Sequence, residues 1–265
     1  MNKKISPSLG ILDWGIGGLG LYKFIKRDRP DIPVIYWSDS GEIPYGKLSA
    51  AALGARVRNV IYQLANRGAT HIAIACNAAS TVLPDIQRHI GTDKEFPQTT
   101  GVIEHGIMAA AARHGSIGII GGGRTIRSGI YRRGLQNPET IIHQRIAQPL
   151  SAHIEAGTSD SEDFHLVLRR IMKPLRDIET LVLACTHYPA ITDRFQELAP
   201  SALIIDPAEH MARWILANWN LADRNPPRGS GADIFLTTGD PIAMKSAARS
   251  VFGVTIDRAE RVGIS

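Results

Sequence analysis

Two short stretches decide the fold: HIAIACNAAS at residues 71–80 and TLVLACTHYP at residues 180–189. Each is an apolar run that ends in Ala-Cys and continues through polar residues into a predicted helix start. The two cysteines, Cys76 and Cys185, lie about 100 residues apart, which is the length of a small domain. The repeat predicts two similar α/β halves, each with a cysteine at the carboxyl end of a strand. Open α/β sheets bind their ligands at that edge.

The rest of the chain follows the same alternation of strand and helix. Strand-like apolar runs occur at 10–13, 34–38, 71–76, 117–120, 140–146, 181–185, 203–205 and 233–238. Segments long enough for crossover helices include 49–67, 161–172 and 208–220. Nearly continuous apolar strands are typical of parallel sheets that helices cover on both faces. The pattern predicts two similar doubly wound, mainly parallel α/β domains.

Composition narrows the class of protein. The chain has 265 residues, of which 44% are hydrophobic and 21% charged, as is usual for globular domains. We expect a cytoplasmic protein, because no run approaches the 18 apolar residues of a membrane span. The formal charge of +5 is scattered along the chain, so we predict neither nucleic-acid nor membrane partners. A Pro/Gly-rich stretch at 223–231 is interpreted as a surface loop.

The cysteines are the strongest candidates for chemistry. A helix start and a nearby protonated imidazole both lower the pKa of a thiol, and His187 follows Cys185 by two residues. A disulfide oxidoreductase would favour C-x-x-C, and a Cys-His hydrolase needs only one thiol. Two thiols that face each other across a cleft suit racemisation or epimerisation, in which one removes a proton and the other donates one. Asp13, Glu155 and His187 are the candidate general bases beside them.

Other enzyme classes have weaker signals. Gly15, Gly17 and Gly20 form G-x-G-x-x-G after a strand, and Asp39 follows about 20 residues later, as in dinucleotide-binding folds. The same glycines also suit close packing of a helix on a strand. Lys47 is the only lysine near a candidate site motif, so a pyridoxal-phosphate enzyme is disfavoured. The nine histidines are dispersed and show no metal-ligand spacing. We therefore predict no cofactor and no metal.

An ordered set of motifs resembles the cofactor-independent aspartate/glutamate racemases, and most closely their glutamate racemase branch. ILDWGIGGLG, SDSGEIPYG and ACNAAS resemble the family's D-S-G-x-G-G-L, D-x-x-x-x-P-Y-G and A-C-N-T-A-S. GVIEHG and GGGRTIRSGIY resemble its G-V-I-x-x-G and T-x-x-S-x-x-Y. IEAG, LACTHYP and TTGDP resemble V-E-x-G, G-C-T-H-Y-P and S-G-D-x. Each motif is weak alone, but their order over nearly the whole chain is specific.

The resemblance implies a discontinuous first domain, 1–100 plus 208–265, and a second domain, 101–207, with the active site in the cleft between them. It implies Cys76 and Cys185 as the acid/base thiols, with Asp13 supporting Cys76 and with His187 and Glu155 supporting Cys185. It also implies a small acidic amino-acid substrate, no cofactor and a homodimer. The residues expected to line the substrate site are Trp14, Tyr45, Gly46, Asn77, Ala78, Thr125 and Thr186.

Two positions depart from the family pattern. Trp14 stands where the family has Ser, and Ala78 stands where it has Thr. A bulky indole at the pocket edge would favour a shorter substrate, so the sequence leads us to expect an aspartate racemase. One methylene changes discrimination by only about 1–3 kcal/mol. The alternatives are a glutamate racemase that supplies D-glutamate for the cell wall, and a weakly active family member that binds ligands or proteins.

Overall fold

A computed structural model describes residues 8–90, 96–221 and 233–263. The loop predicted at 223–231 lies outside the described residues. Within those residues, no helix combines the length and the apolar character that crossing a bilayer requires.

The first sheet has six parallel strands, and its central strand begins the chain's regular structure. In chain order the strands are β1 (Leu9–Asp13), β2 (Val34–Ser38), β3 (His71–Ile74), β4 (Gln98–Gly101), β9 (Ile234–Thr237) and β10 (Ala259–Arg261). Their spatial order is β10-β9-β2-β1-β3-β4. In β1 every residue is buried, with Ile11 in the core on one face and Leu12 in the core on the other. Burial on both faces explains its uninterrupted apolar sequence.

The second sheet has four parallel strands and is formed by the middle of the chain. The strands are β5 (Gly115–Gly121), β6 (Thr140–Ile146), β7 (Thr180–Ala184) and β8 (Leu203–Ile205). Their spatial order is β6-β5-β7-β8. Both β5 and β7 lie inside the sheet, so their carboxyl ends meet at one edge.

Twelve α-helices connect the strands of the described residues. They are α1 (Leu19–Asp28), α2 (Ala50–Asn66), α3 (Asn77–Ser80), α4 (Leu83–Ile90), α5 (Val102–Ala111), α6 (Gly123–Ser128), α7 (Ile130–Gly134), α8 (Gln148–Glu155), α9 (Glu162–Met172), α10 (Thr192–Leu198), α11 (Pro207–Asn218) and α12 (Pro241–Phe252). The starts of two helices are fixed by the residue that precedes each helix. The side chains of Ser49 and Ser161 accept hydrogen bonds from Ala52 N and Phe164 N, as N-caps do.

The helices lie on both faces of each sheet. One face of the first sheet packs against α1, α11 and α12, and the other packs against α2, α3 and α4. The second sheet has α8, α9 and α10 on one face and α5 and α7 on the other. Helices on both faces give each half the doubly wound architecture that the sequence predicts, and the fold class is confirmed. Each fully buried Leu or Ile in these cores contributes about 1.5–3 kcal/mol to stability because it leaves water.

The sequence-based boundaries differ from the structure at a few places. Strands 34–38, 140–146 and 203–205 are confirmed, whereas the run at 71–76 ends as a strand at Ile74. The edge strands β4 and β10 are absent from the sequence prediction. A single helix was expected from Tyr188-Pro189, but a 3-10 turn at Tyr188–Ile191 precedes α10. The domain division at 1–100 plus 208–265 and 101–207 stays a prediction.

Candidate active site

Cys76 lies at the carboxyl end of β3, just before α3. It is buried, with 8% of its surface exposed. The neighbouring strand β1 ends in Asp13, and the ladder continues past the end of β3 because Ala75 N donates to Leu12 O over 2.9 Å. Parallel pairing of β1 and β3 therefore places the Asp13 carboxyl beside the Cys76 thiol, where it acts on the pKa of that thiol.

The Asp13 carboxyl is held by donors from both halves. Its oxygens accept hydrogen bonds from Trp14 N at 2.8 Å and from Gly18 N at 2.5 Å. From the second half, the Thr186 hydroxyl donates to Asp13 Oδ2 over 3.1 Å. Three donors leave Asp13 few orientations, so its position beside Cys76 is fixed before any substrate arrives.

Cys185 occupies the matching place in the second half. It follows β7 directly, and its Sγ atom lies 3.8 Å from Nδ1 of His187. The other imidazole nitrogen, Nε2, contacts the carboxylate of Glu155 at the end of α8. These contacts form a chain from carboxylate to imidazole to thiol, along which a proton can pass.

Burial has the largest effect on the pKa of the Cys76 thiol. It raises this pKa well above the ordinary value, and the adjacent Asp13 raises it further. The pKa of Asp13 is also raised by burial, although the charge of His187 and the surrounding donors oppose the rise. The helix start does lower the pKa of Cys76 through the backbone hydrogen bond from Ala79, but desolvation outweighs it, so the net pKa is raised rather than lowered.

His187 shows the opposite balance. Burial lowers its pKa, but contacts with Cys185 and Glu155 raise it, and the net result lies well above the ordinary value. The imidazolium is thus stabilised in a site where an isolated charge would be disfavoured. The two thiols therefore have different supporting groups: a carboxyl that shares a buried site with Cys76, and a charged imidazole beside Cys185.

The two halves meet around these thiols. Thr186, which follows Cys185 in the chain, donates to the Asp13 carboxyl of the first half. Both cysteines are free thiols. The glycine turn after β1 completes the contact, because a Cβ on Gly15 would stand 3.1 Å from a Glu155 carboxylate oxygen. The five residues predicted to be catalytic therefore lie along one cleft.

The glycines that follow β1 allow the first half to pack closely against the second half. A Cβ on Gly17 would stand 2.2 Å from Oγ1 of Thr186 and 2.9 Å from Oδ2 of Asp13. Only a glycine lets this loop approach the second half so closely. Asp39, the other part of the dinucleotide fingerprint, is fully buried and is paired with Arg56 at 2.6 Å. Because its carboxylate is already paired within the protein, it is not available to a ribose, and the dinucleotide interpretation is not supported.

Replacing Gly17 by alanine should therefore damage the site. The new methyl group must displace the Thr186 side chain from Asp13, and we expect turnover to fall about tenfold or more, since a small misplacement of catalytic groups is costly. Gly54→Ala is the control, because a Cβ there meets nothing within 4 Å and a helix interior gains about 0.5–1 kcal/mol from it. Steady-state rates and thermal unfolding of both variants test this; equal rates would contradict it.

The residues predicted to bind substrate differ in their burial and in the hydrogen bonds that they already make within the protein. Asn77 is buried beside Cys76, and its Oδ1 atom accepts a hydrogen bond from the Tyr131 hydroxyl at 2.9 Å. Thr125 and Thr186 are buried in the second half, and Ala78 is partly buried against the first sheet's core. Tyr45 is different, because its hydroxyl donates to Asp39 Oδ2 over 2.7 Å. The Tyr45 side chain is therefore committed to Asp39, whereas the neighbouring Gly46 is exposed.

The Trp14 side chain is held in place by two contacts. Its indole Nε1 donates to Glu42 O over 3.1 Å, and its ring packs against the core that contains Cys76. The ring therefore supports the loop at 39–48, which ends in the predicted substrate-binding turn. This anchoring weakens the argument that the indole shortens the pocket.

Two contributors to the site lie within the GGGRTIRSGIY motif, but the motif alone does not reveal their contacts. Tyr131 of α7 orients Asn77 across the cleft, 54 positions away in sequence. Arg124 of α6 donates from Nε to Tyr45 O over 3.2 Å and from Nη2 to Leu48 O. Both contacts join residues of different halves, which a local pattern does not reveal. Among the described residues, no group of three or more His, Cys, Asp or Glu side chains is arranged to hold a metal ion.

Comparison with known proteins identifies the family of the chain. The family model described as Asp/Glu/Hydantoin racemase matches residues 25–214. The chain belongs to this family. A glutamate racemase of Gloeobacter violaceus is 31% identical over 250 residues, which cover 91% of this chain and 90% of the relative. The protein is thus an isomerase of the racemase type, as the resemblance implies.

Solved structures agree with the fold. A glutamate racemase isoform of Bacillus anthracis superposes with a TM-score of 0.86 at 26% identity, covering 98% of both chains. A glutamate racemase of Francisella tularensis, solved with D-glutamate, gives 0.86 at 25% identity over 98% of both chains. An aspartate racemase of Picrophilus torridus reaches 0.59 at 18% identity over 80% of this chain and 94% of its own, a likeness of fold alone. The expected preference of this racemase for aspartate is therefore not supported.

Proposed function

We propose that this protein is a glutamate racemase in which two cysteines exchange the α-proton of the substrate without a cofactor. One observation carries the proposal: Cys76 and Cys185 follow equivalent strands of the two sheets, the Thr186–Asp13 hydrogen bond joins the two strand ends, and each thiol has a separate acid/base group beside it. A two-base racemase requires this arrangement, because inversion needs a base on one face of the α-carbon and an acid on the other.

The proton balance follows from that geometry. One cysteine, as thiolate, takes the α-hydrogen and becomes a thiol, and the electron pair of the broken C–H bond delocalises into the substrate carboxylate. The opposite thiol then donates its proton to the other face of the carbon and becomes a thiolate. The product has inverted configuration, and the two sulfurs have exchanged protonation states. The reverse reaction uses the same groups in the opposite order.

The supporting residues allow each sulfur to change its protonation state. Asp13 lies beside Cys76, and its raised pKa suits proton exchange with a buried thiol. His187 contacts both Cys185 and Glu155, so it can transfer a proton to or from the second thiol. Asn77 is buried next to Cys76 in the chain, and its side-chain amide N–H groups are donors for a substrate carboxylate. The Thr186 hydroxyl is occupied by Asp13, so it positions that carboxyl.

Glutamate is favoured over aspartate on two grounds. The similar proteins are named glutamate racemases, and one of them was solved with D-glutamate. In this chain the Trp14 indole is engaged with the Glu42 carbonyl and the first-sheet core, which weakens the size argument for the shorter substrate. We further propose a cytoplasmic homodimer that supplies D-glutamate for cell-wall synthesis.

Hydrogen exchange tests the proposal directly. The enzyme is incubated in D₂O with L-glutamate, D-glutamate, L-aspartate or D-aspartate, without added cofactor. We expect α-deuteration by NMR together with formation of the opposite enantiomer by chiral chromatography, and a higher kcat/KM for glutamate than for aspartate.

Each outcome has a distinct consequence. A higher kcat/KM for aspartate would restore the preference argued from Trp14. Absence of α-deuteration with all four substrates would overturn the proposed reaction and favour the alternative of a ligand-binding or protein-binding family member.

A further inference from the structure

Arg124 is a cation at the boundary between the two halves. It lies on α6 in the second half, yet its guanidinium donates to two backbone carbonyls of the first half, Tyr45 O and Leu48 O. These carbonyls lie on either side of the turn that contains Gly46. The side chain is half-buried, so it borders the cleft rather than extending into solvent.

The charge of Arg124 has no acidic partner among the residues that the structure describes. None of the carboxylates of those residues lies within 4.0 Å of its guanidinium, and burial alone acts on its pKa, which is lowered. Arg56, which supports the same 39–48 loop from the first half, contacts Asp39 at 2.6 Å and Glu42 at 3.4 Å. Burying a guanidinium without an anion is unfavourable, and a ligand carboxylate would relieve that cost.

The surroundings of Arg124 form one end of the cleft. Gln148 Oε1 accepts a hydrogen bond from Gly123 N at 3.2 Å and would lie 3.7 Å from a Cβ on Gly46. Thr125, which follows Arg124, is buried beside it. Two glycines, a glutamine and an arginine without an acidic partner among the described residues therefore meet here.

We propose that Arg124 determines substrate specificity by binding the side-chain carboxylate of the acidic amino acid at this end of the cleft. The inference rests on the proposed racemase function, because it assigns the distal end of the same substrate. Two N–H groups of Arg124 hold the 45–48 turn, and its remaining N–H groups make no hydrogen bond to the residues that the structure describes, so they are available to a ligand. A charged donor of this kind discriminates between a carboxylate and an uncharged amide of the same shape.

The test compares L-glutamate with its isostere L-glutamine. We measure α-hydrogen exchange in D₂O for the wild type, Arg124→Met, Arg124→Lys and the control Arg194→Met. Arg194 also contacts a backbone carbonyl and a carboxylate, those of Ser159 and Asp160, but on a different surface. For Arg124→Met we expect kcat/KM on glutamate to fall about 10- to 100-fold, with little change on glutamine. Arg124→Lys should keep part of the preference, and Arg194→Met should keep all of it.

The outcomes separate this inference from the proposed function. If Arg124 only fastens the 45–48 turn, Arg124→Met will slow glutamate and glutamine equally, and the unchanged ratio overturns the specificity role. Unchanged kcat/KM for glutamate in Arg124→Met also overturns it, while leaving the two-thiol reaction intact. If the wild type fails to exchange glutamate at all, the failure belongs to the proposed function.

Discussion

Replacing either Cys76 or Cys185 by alanine should reduce racemisation of glutamate by about 10³-fold or more. Each substitution removes the only thiol on one face of the substrate's α-carbon, and inversion needs both faces. Neither change should unfold the protein, because each removes one small side-chain atom and leaves its strand in place. Chiral chromatography of product and circular dichroism of each variant provide the measurement.

The residual chemistry of these variants is more informative than the loss. Cys76→Ala keeps the His187–Cys185 contact, whereas Cys185→Ala keeps the Asp13–Cys76 contact. Any α-deuterium exchange that persists should therefore occur with opposite enantiomers in the two variants, without inversion. Racemisation within tenfold of the wild type in either variant would contradict the two-thiol reaction, as would residual exchange of the same enantiomer in both.

The strands and the thiols were predictable from the sequence for the same reason. Buried parallel strands are apolar along their whole length, so β1, β2 and β7 are recognisable, and a polar residue at the carboxyl end of such a strand lies at the ligand edge. The strands β4, QTTG at Gln98–Gly101, and β10, AER at Ala259–Arg261, are short edge strands. One side of each is solvated, so no apolar run marks them.

Contacts between the halves explain most of what the sequence did not predict. Thr186 reaches Asp13 across 173 positions, and Tyr131 reaches Asn77 across 54. These bonds depend on how two separately folded sheets face each other, which neither propensity nor periodicity encodes. The same applies to Trp14. Its type suggested a blocked pocket, but the nearby Glu42 carbonyl and the first-sheet core determine where the indole lies.

Protonation at Cys76 is a further case in which tertiary structure overrides a local rule. A cysteine before a helix is ordinarily made more acidic by the helix. Here α3 is one turn long, and the thiol is enclosed by the first-sheet core beside a second acidic group, Asp13. Desolvation therefore dominates. A buried thiol that is reluctant to ionise suits a proton donor, and deprotonation then depends on the adjacent carboxyl.

His187→Asn is the second variant with a large expected effect, a fall in kcat of about 10²- to 10⁴-fold. The substitution separates Cys185 from Glu155 and removes the group through which a proton can reach the second thiol. His114→Asn is a matched control, because His114 also lies near a glutamate, Glu139 at 3.5 Å, but both side chains are exposed. Its kcat should stay within twofold of the wild type. A His187→Asn enzyme with wild-type kcat would remove the imidazole from the mechanism.

The same variant gives a stability signature with a defined sign. Contacts with Cys185 and Glu155, acting against burial, raise the folded-state pKa of His187 above its unfolded value. The stabilisation from the protonated imidazole is therefore fully present below the ordinary histidine pKa of about 6.5 and is lost as the pH rises through the raised value. The wild type should exceed His187→Asn in unfolding free energy most at pH 6, and the difference should shrink as the solution becomes alkaline. Urea titrations of both proteins at several pH values measure it, and a difference that grows with pH would show that His187 is neutral in the folded enzyme.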